Sequence, residues 1–149
     1  MKTLEVRLAT EADLPALHAL FAAALPEVWS MEALLGELQY PYGCLLVALQ
    51  EETLVGFADA RFVYGDGELT NIAVSSQCRR SGVGTALMEA IFSHARAANT
   101  ECITLEVRAK NTAAQAFYEQ LGFVKIGRRP SFYDHPVDDA LLYQKKMEE

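Results

Sequence analysis

Residues 79–86 read Arg-Arg-Ser-Gly-Val-Gly-Thr-Ala and lie between a segment typical of a strand, 68–74, and one typical of a helix, 85–97. Two glycines one residue apart let the backbone turn tightly and approach a ligand without a Cβ in the way. A helix that begins here directs unpaired N–H groups and the positive end of its dipole into the turn. With the two arginines, this pattern predicts an anion site, and a phosphate or pyrophosphate fits it best. Glycine-arginine turns also occur as plain loops, so the stretch alone leaves both interpretations open.

The length and composition of the chain indicate one globular domain over residues 1–149. Its 149 residues are enough to bury one substantial core, and a hydrophobic content of 51% is ordinary for a globular protein. The net charge of −7 argues against direct nucleic-acid binding, which requires a basic surface. A basic partner such as a cationic peptide or a polyamine stays open, although such a charge commonly serves solubility.

The distribution of cysteine, histidine and apolar residues excludes several other classes of protein. The three cysteines have no CxxC spacing and the three histidines form no cluster, so we predict no disulfide framework and no metal site. No apolar run approaches the ~20 residues that span a bilayer, and the N-terminus has no signal-peptide core. We therefore expect a cytoplasmic protein with no membrane partner.

The pattern of apolar residues and turn signals predicts a mixed α/β fold. Three antiparallel strands followed by a strand–helix–strand–helix–strand series indicate a mixed central sheet of about seven strands with helices on both faces. Gly65-Asp66-Gly67 is the signal for the hairpin turn before the fourth strand. The predicted strands are 4–8, 44–50, 54–63, 68–74, 103–108, 123–127 and 139–145, and the predicted helices are 11–24, 31–38, 85–97 and 112–121.

Two common glycine-rich phosphate motifs do not fit residues 79–86. The chain contains no Gly-Lys pair, which excludes a Walker loop. A dinucleotide fingerprint needs a small residue where Leu87 stands, and the connection 74–82 is too long for that fold. One feature favours the dinucleotide fold, because Glu106 lies about twenty residues on, where a ribose-binding acid is expected.

The motif Arg79-x-x-Gly82-x-Gly84 resembles the [Gln/Arg]-x-x-Gly-x-[Gly/Ala] signature of the GCN-five-related N-acetyltransferases (GNAT), and the element order is that of the GNAT fold. Further segments resemble the RimI branch, which acetylates protein N-termini. They are Asn-Ile-Ala-Val at 71–74, Leu-Glu-Val-Arg-Ala at 105–109 and Ala-Phe-Tyr-Glu at 116–119. The resemblance covers nearly the entire chain.

The resemblance implies acetyl-CoA as cofactor, bound where the fourth and fifth strands separate. Residues 80–85 would offer backbone N–H groups to the pyrophosphate, and 72–74 would pair with the pantetheine arm as an added strand does. The residues assigned to the cofactor in this way are Ile72, Ala73, Val74, Arg79, Arg80, Ser81, Gly82, Val83, Gly84, Thr85, Asn111 and Tyr118.

Glu106 is the candidate general base. It shares the polar face of the predicted fifth strand with Thr104 and Arg108, and by pattern alone a solvated face with Glu106 paired to a neighbour is favoured. The RimI resemblance implies instead that Glu106 is the base. The chemistry needs such a group, because an amine attacks a thioester only when unprotonated and an α-amine has a pKa near 8. A carboxylate can take that proton directly or through a water molecule.

Two other positions each have a structural and a functional interpretation. Tyr118 is an aromatic residue beside Phe117 and Leu121, which is typical of a core, whereas the resemblance makes it the acid that protonates the departing thiolate. Asn111 is placed to cap the following helix or to contact the cofactor, and we favour the contact.

The sequence is less specific about the residues that would bind the acceptor amine. Trp29 and Tyr133 resemble positions that shape the peptide groove in RimI relatives, and Glu68 is suited to receive a cationic N-terminus. The sequence departs from the branch at Cys78, where an aromatic residue is common, and at Ser81, where a basic position is common. The segment 129–133 is one residue longer than usual, which affects where Tyr133 is placed.

These observations predict an N-acetyltransferase that moves acetyl from acetyl-CoA to the N-terminal α-amine of a protein, of the ribosomal-protein type, by direct attack in a ternary complex. One alternative is acetylation of a small-molecule amine or a lysine side chain. Another is a non-catalytic acyl-CoA-binding sensor. We expect a monomer or a weak dimer.

Overall fold

A computed structural model describes residues 3–25, 29–79, 81–134 and 136–147. Within these ranges, four helices pack on one sheet of seven strands, which confirms the predicted fold class. The strands are β1 (Leu4–Leu8), β2 (Gly43–Gln50), β3 (Thr53–Val63), β4 (Asp66–Val74), β5 (Cys102–Arg108), β6 (Val124–Asp134) and β7 (Val137–Lys146). The helices are α1 (Leu14–Ala24), α2 (Met31–Gln39), α3 (Val83–Ala97) and α4 (Thr112–Gln120).

The order of strands in the sheet is β1-β2-β3-β4-β5-β7-β6. All neighbours are antiparallel except β4 and β5, which are parallel and are joined through α3. The β4–β5 ladder has three residue pairs, from Asp66 with Cys102 to Glu68 with Thr104. Beyond Glu68 and Thr104 the two strands continue without pairing, so a gap opens in the middle of the sheet.

The sheet has a hydrophobic core on each face because its central strands carry apolar residues at successive positions. On one face, Ala58 and Ala60 of β3 belong to the same cluster as Leu87 of α3 and the α4 residue Tyr118. On the other face, Phe57 stacks on Phe21 of α1 with 4.4 Å between ring centroids. The helices are thus divided between the faces, with α3 and α4 on one and α1 and α2 on the other.

The last strands depart most from prediction. The structure extends β6 to Asp134, whereas the pattern predicts an end at 127, and Phe132 and Tyr133 therefore lie on a strand. The register moves from Arg129 opposite Ala140 to Tyr133 opposite Asp138, and Ser131 has φ 51°. This bulge accommodates a proline and the extra length of 129–133 without ending the strand.

Two turns are also shifted from prediction. The β3–β4 turn lies on Tyr64 (φ 47°) and Gly65 (φ 90°), rather than on Gly65-Asp66-Gly67, because Gly67 already pairs with Phe62. The helix α3 begins at Val83 instead of 85, since Gly84 is accepted in its first turn. In the described ranges, no helix is long and apolar enough to cross a bilayer.

Thr100, in the turn before β5, gives a stability prediction. Thr100 is 7% exposed, and among the described residues its Oγ1 has no hydrogen-bond partner. Thr100→Val replaces that hydroxyl with a methyl group of similar shape and is expected to raise the free energy of unfolding by about 1 kcal/mol. Urea unfolding measures the change. A loss of stability in Thr100→Val would show that the hydroxyl has a partner, and Thr100→Ser, which keeps the hydroxyl, is the matched comparison.

Candidate active site

The gap between β4 and β5 is the centre of the candidate site. Residues 72–74 pair on one side with β3, where Ala58 is opposite Ile72 and Phe57 is opposite Ala73. Their other side faces the gap, and β5 is held away by its pairing with β7 as far as Arg108. The β4 edge therefore offers unpaired backbone groups to an extended chain, as predicted for 72–74.

The N-terminus of α3 lies at the mouth of this gap. Gly82 caps the helix in the left-handed conformation with φ 87°, and a Cβ there would meet no atom within 4 Å. The helix has 15 residues, and its first N–H groups, from Val83 to Thr85, have no partner within it. The turn predicted from the glycines is thus present, and it is open towards solvent.

Gly84 lies close to side chains of α4 and β4. A Cβ on Gly84 would lie 3.4 Å from Cζ of Phe117 on α4 and 3.9 Å from Cγ2 of Val74 on β4. The small space left there, together with the open turn at Gly82, fits a pyrophosphate at the helix N-terminus and a thin extended arm along β4. These are the shapes of the corresponding parts of coenzyme A.

The polar residues of the turn differ in what they do. Arg79 is exposed beside the helix N-terminus, where its charge favours an anion. Arg80 lies outside the described residues. The hydroxyl of Ser81 donates to the carbonyl of Cys78, so this side chain ties the turn to the preceding residues. Its contribution to a ligand would come through its backbone.

Glu106 lies on the α1–α2 face of β5, with 33% of its side chain exposed. Its Oε1 is 3.7 Å from Nη1 of Arg129 on β6, which is a long and partly exposed ion pair that contributes little to stability. The sequence predicted Arg108 or another neighbour as a partner. Arg108 instead donates to the carbonyl of Pro136 at 2.8 Å and stacks over the ring of Tyr133. The Glu106 carboxylate thus stays accessible from solvent.

Tyr118 lies on the opposite side of the sheet from Glu106. It is 8% exposed, and its ring packs 5.3 Å from that of Phe117 and 5.7 Å from that of Phe123, measured between centroids. It shares a cluster with the inward-facing Leu105 and Val107 of β5. Burial raises the pKa of the Tyr118 phenol, so the group is a neutral donor throughout the physiological range.

Asn111 occupies the N-cap of α4. Its Oδ1 accepts a hydrogen bond from the N–H of Ala114 at 3.1 Å. The structure therefore supports the capping interpretation that the sequence analysis ranked second. The cap uses only Oδ1 of this exposed side chain. A contact from its amide nitrogen to a cofactor stays a prediction.

The three acceptor candidates lie on the α1–α2 side of the sheet. Trp29 stacks on Phe21 with 5.4 Å between centroids and is half-buried. Tyr133 is half-buried, and its pKa is raised first by burial and next by the charge of Glu106. Glu68 lines a cavity of about 450 Å³. The other residues that line this cavity are Tyr40, Arg61, Val63, Asp66, Gly67, Cys102, Thr104 and Gln144.

The acidic pair at the start of β7 has structural partners. Asp138 is buried and accepts hydrogen bonds from the N–H groups of Lys110 and Asp139. Asp139 accepts from Nε of Arg128 at 2.6 Å and from the N–H of Ser131 at 2.7 Å. The β6 bulge turns its backbone and Arg128 onto Asp139, so the carboxylates of this pair serve the fold.

Three charged residues near the site, Asp59, Arg61 and Arg129, were not among the predicted site residues. Asp59 is a lone acid in the apolar run 55–60, and that signal was available. Arg61 and Arg129 had no such signal, because their partners Glu37 and Glu106 are distant in sequence and meet them only in the folded sheet.

A parallel strand pair that separates above a glycine-rich helix N-terminus agrees with the family comparison. Residues 14–123 match the model of the Acetyltransferase (GNAT) family. The chain is a member of the GNAT acetyltransferase family. It is 32% identical over 121 residues to the [ribosomal protein bS18]-alanine N-acetyltransferase of Salmonella typhimurium (strain LT2), with 81% of each chain covered.

Solved structures agree with this membership. The chain superposes on the ribosomal-protein-S18-alanine N-acetyltransferase from Escherichia coli with a TM-score of 0.91, 28% identity, and coverage of 99% of this chain and 96% of that one. It also shares the fold of yncA from Salmonella typhimurium, which was solved with its cofactor acetyl-CoA (TM-score 0.85, 18% identity, coverage 99% and 95%). The resemblance of this GNAT enzyme to the RimI branch is thus confirmed.

Proposed function

We propose that this GNAT enzyme transfers acetyl from acetyl-CoA to the N-terminal α-amine of a protein, by direct attack in a ternary complex. One observation carries the proposal. A gap between β4 and β5 interrupts the sheet. The buried phenol of Tyr118 lies on one face of that sheet, and the accessible carboxylate of Glu106 lies on the other. Tyr118 could thus donate a proton to the leaving thiolate, while Glu106 accepts one from the attacking amine. The similarity to bS18-alanine N-acetyltransferases supports a protein of the ribosomal type as acceptor, which implies a cytoplasmic setting.

The β4 edge and the α3 N-terminus would hold the cofactor. When bound, acetyl-CoA supplies an activated thioester carbonyl. The backbone of 72–74 would pair with its extended arm, and the N–H groups of Val83, Gly84 and Thr85 would receive its pyrophosphate beside Arg79. Arg80 is assigned to the same anion by the motif.

Glu106 would take the proton from the acceptor amine. An α-amine with a pKa near 8 is largely protonated at neutral pH, so a nearby carboxylate increases the fraction that can attack. The ion pair with Arg129 at 3.7 Å is exposed enough for water or substrate to replace it. Because Glu106 faces the α1–α2 side, the amine would enter from that side, past Trp29 and Tyr133.

Glu68 would assist at the entrance. Glu68 is opposite Thr104 in the β4–β5 ladder. Thr104 precedes Glu106 by two residues, so the two side chains share one face of β5. Its carboxylate and that of Asp66 line the cavity, whereas the charge of Arg61 is largely balanced by its ion pair with Glu37. The entrance therefore has an excess of negative charge, which suits an ammonium group before it loses its proton.

Tyr118 would hold the proton that the leaving sulfur takes up. Tyr118→Phe keeps the ring and its packing, so we expect kcat to fall by about tenfold or more while the free energy of unfolding changes little. Tyr143→Phe is the matched control, because Tyr143 is also a buried tyrosine but its hydroxyl donates to Glu119 at 2.8 Å, away from the gap. Steady-state kinetics measures both. Full activity in Tyr118→Phe would return this residue to a purely structural role.

A panel of acceptors tests the proposed function. Thiol release from acetyl-CoA is followed with a basic peptide that has a free N-terminus, the same peptide with a blocked N-terminus, and a polyamine. The proposal predicts turnover with the free N-terminus alone. Faster release with the polyamine would favour a small-molecule acetyltransferase. Binding of acetyl-CoA with no release for any amine in the panel would favour a sensor.

A further inference from the structure

Asp59 is a buried acid that the proposed transfer does not use. It lies in the middle of β3, is 1% exposed, and faces the α1–α2 side of the sheet because its neighbours Ala58 and Ala60 face α3. Among the described residues, its Oδ1 has no hydrogen-bond partner. A buried carboxyl oxygen without a partner is costly, so its presence calls for a specific role.

The partner of the other carboxyl oxygen is Thr70, the extra residue of a bulge in β4. Asp59 is opposite Asn71 and Ala60 is opposite Leu69, so Thr70 has no residue across from it on β3. Its Oγ1 lies 2.7 Å from Oδ2 of Asp59 and 3.0 Å from the Asp59 carbonyl oxygen. The extra residue of the bulge thus lies two positions after Glu68, the last residue of β4 that pairs with β5.

We propose that Asp59 is a positioning residue, which fixes the bulge at Thr70 and thereby directs residues 71–74 along the gap between β4 and β5. A bulge increases the local twist of its strand, and here it lies where the two parallel strands begin to separate. Anchoring it from β3 sets the direction of the edge that faces the gap. The inference rests on the proposed function, in which that edge holds the cofactor.

The charges around Asp59 indicate how it is held. Glu37 on α2 accepts from Arg61 on β3 through both carboxyl oxygens, at 2.6 and 3.0 Å, so the cation is already occupied. Burial and, next, the neighbouring Glu37 carboxylate raise the pKa of Asp59 to about 8, against the opposing effect of Thr70. The pKa of the Cys44 thiol on β2 is raised to about 12, mainly by burial and next by the charge of Asp59.

With a pKa of about 8, Asp59 is mostly protonated at pH 7. A proton on Oδ1 turns the unpaired oxygen into a donor towards the Glu37 carboxylate, while Oδ2 accepts from the hydroxyl of Thr70. In this state one side chain links α2, β3 and the bulge of β4. An asparagine reproduces the same pattern, with its amide N–H₂ as donor and its carbonyl as acceptor.

Variants at Thr70 test the positioning role. Thr70→Val removes the hydroxyl and keeps the shape, and we expect kcat to fall, and the Kd for acetyl-CoA to rise, by about tenfold each as the edge 71–74 shifts. Thr70→Ser keeps the hydroxyl and should restore both values to within about threefold of wild type. Thr100→Val, which makes the same change at a threonine outside the bulge, is the matched control. Wild-type kcat and Kd in Thr70→Val, with only a lower unfolding midpoint, would overturn the inference.

The pH dependence of unfolding tests the neutral carboxyl without any cofactor. The pKa of Asp59 in the folded state is raised above its usual value near 3.9, so its stabilising contribution is complete below about pH 4 and is lost as the pH rises to about 8. We expect the urea midpoint of wild type to fall relative to that of Asp59→Asn between pH 5 and 8, and the difference to stay constant above pH 9. Parallel midpoints would overturn the inference.

The activity of Asp59→Asn completes the test. At pH 7 this variant should keep kcat within about threefold of wild type, because the amide replaces the neutral carboxyl. A tenfold loss would show that the carboxylate itself is required and would overturn the inference. Failure of wild type to bind acetyl-CoA by calorimetry would instead contradict the proposed function, so the two failures are distinguishable.

Discussion

Replacing Glu106 with glutamine is expected to lower kcat for a peptide acceptor by about 100-fold at pH 7. The glutamine amide cannot take a proton from the amine, but the side chain has the size of the glutamate that it replaces and the same position on β5. The Kd for acetyl-CoA should change less than about twofold, because Glu106 lies on the α1–α2 face, away from the turn at Gly82. Steady-state kinetics and calorimetry on the same preparation measure the two quantities.

The pH profile makes the Glu106→Gln prediction specific. As the pH rises above the pKa of the acceptor amine, near 8, the amine loses its proton to solvent and the defect should shrink. Glu89→Gln, an exposed residue on α3, is the control for the loss of one carboxylate. Unchanged turnover of Glu106→Gln at neutral pH would remove Glu106 from the role of base.

Gly84→Asp is expected to raise the Kd for acetyl-CoA by about 100-fold or more, through repulsion between the new carboxylate and the pyrophosphate. The side chain would begin 3.4 Å from Phe117 and 3.9 Å from Val74, in the space assigned to the cofactor. The fold should not suffer, because an acid in the first turn of α3 interacts favourably with the helix dipole. Calorimetric titration measures the affinity, and urea unfolding measures the stability.

Gly84→Ala is the matched control for Gly84→Asp. The GNAT signature accepts alanine at this position, and the added Cβ makes only ordinary contacts with Phe117. Its Kd should stay within about threefold of wild type, since alanine brings no charge to the turn. Equal affinities for all three proteins would show that the pyrophosphate does not bind at the N-terminus of α3.

Much of the fold was predictable because it depends on local patterns. The alternation in 103–108 predicted β5 and separated Glu106 from Leu105, and the glycines at 82 and 84 predicted the turn before α3. The local pattern failed at β6, where it predicted an end at 127, because a bulge at Ser131 lets the strand continue to Asp134. A bulge depends on the neighbouring strand, which a single segment does not reveal.

The sequence proposed residues for the candidate site, whose catalytic roles stay predictions, but it did not reveal their contacts. Glu106 and Tyr118 were identified through the family resemblance, and their division between opposite faces follows from the packing of α4 against β5. The pairing of Glu106 with Arg129, the stacking of Arg108 on Tyr133 and the link from Asp59 to Thr70 join residues far apart in sequence. Such contacts depend on the order and register of the strands, which the sequence pattern did not specify.

The most direct test of N-terminal acetyl transfer uses one peptide that carries both a free α-amine and an internal lysine. After incubation with acetyl-CoA and the enzyme, tandem mass spectrometry locates the acetyl group. The account predicts acetylation of the α-amine, with the lysine unmodified, and a loss of that product in Glu106→Gln. Acetyl found on the lysine, or on neither amine while a polyamine is acetylated under the same conditions, would contradict it.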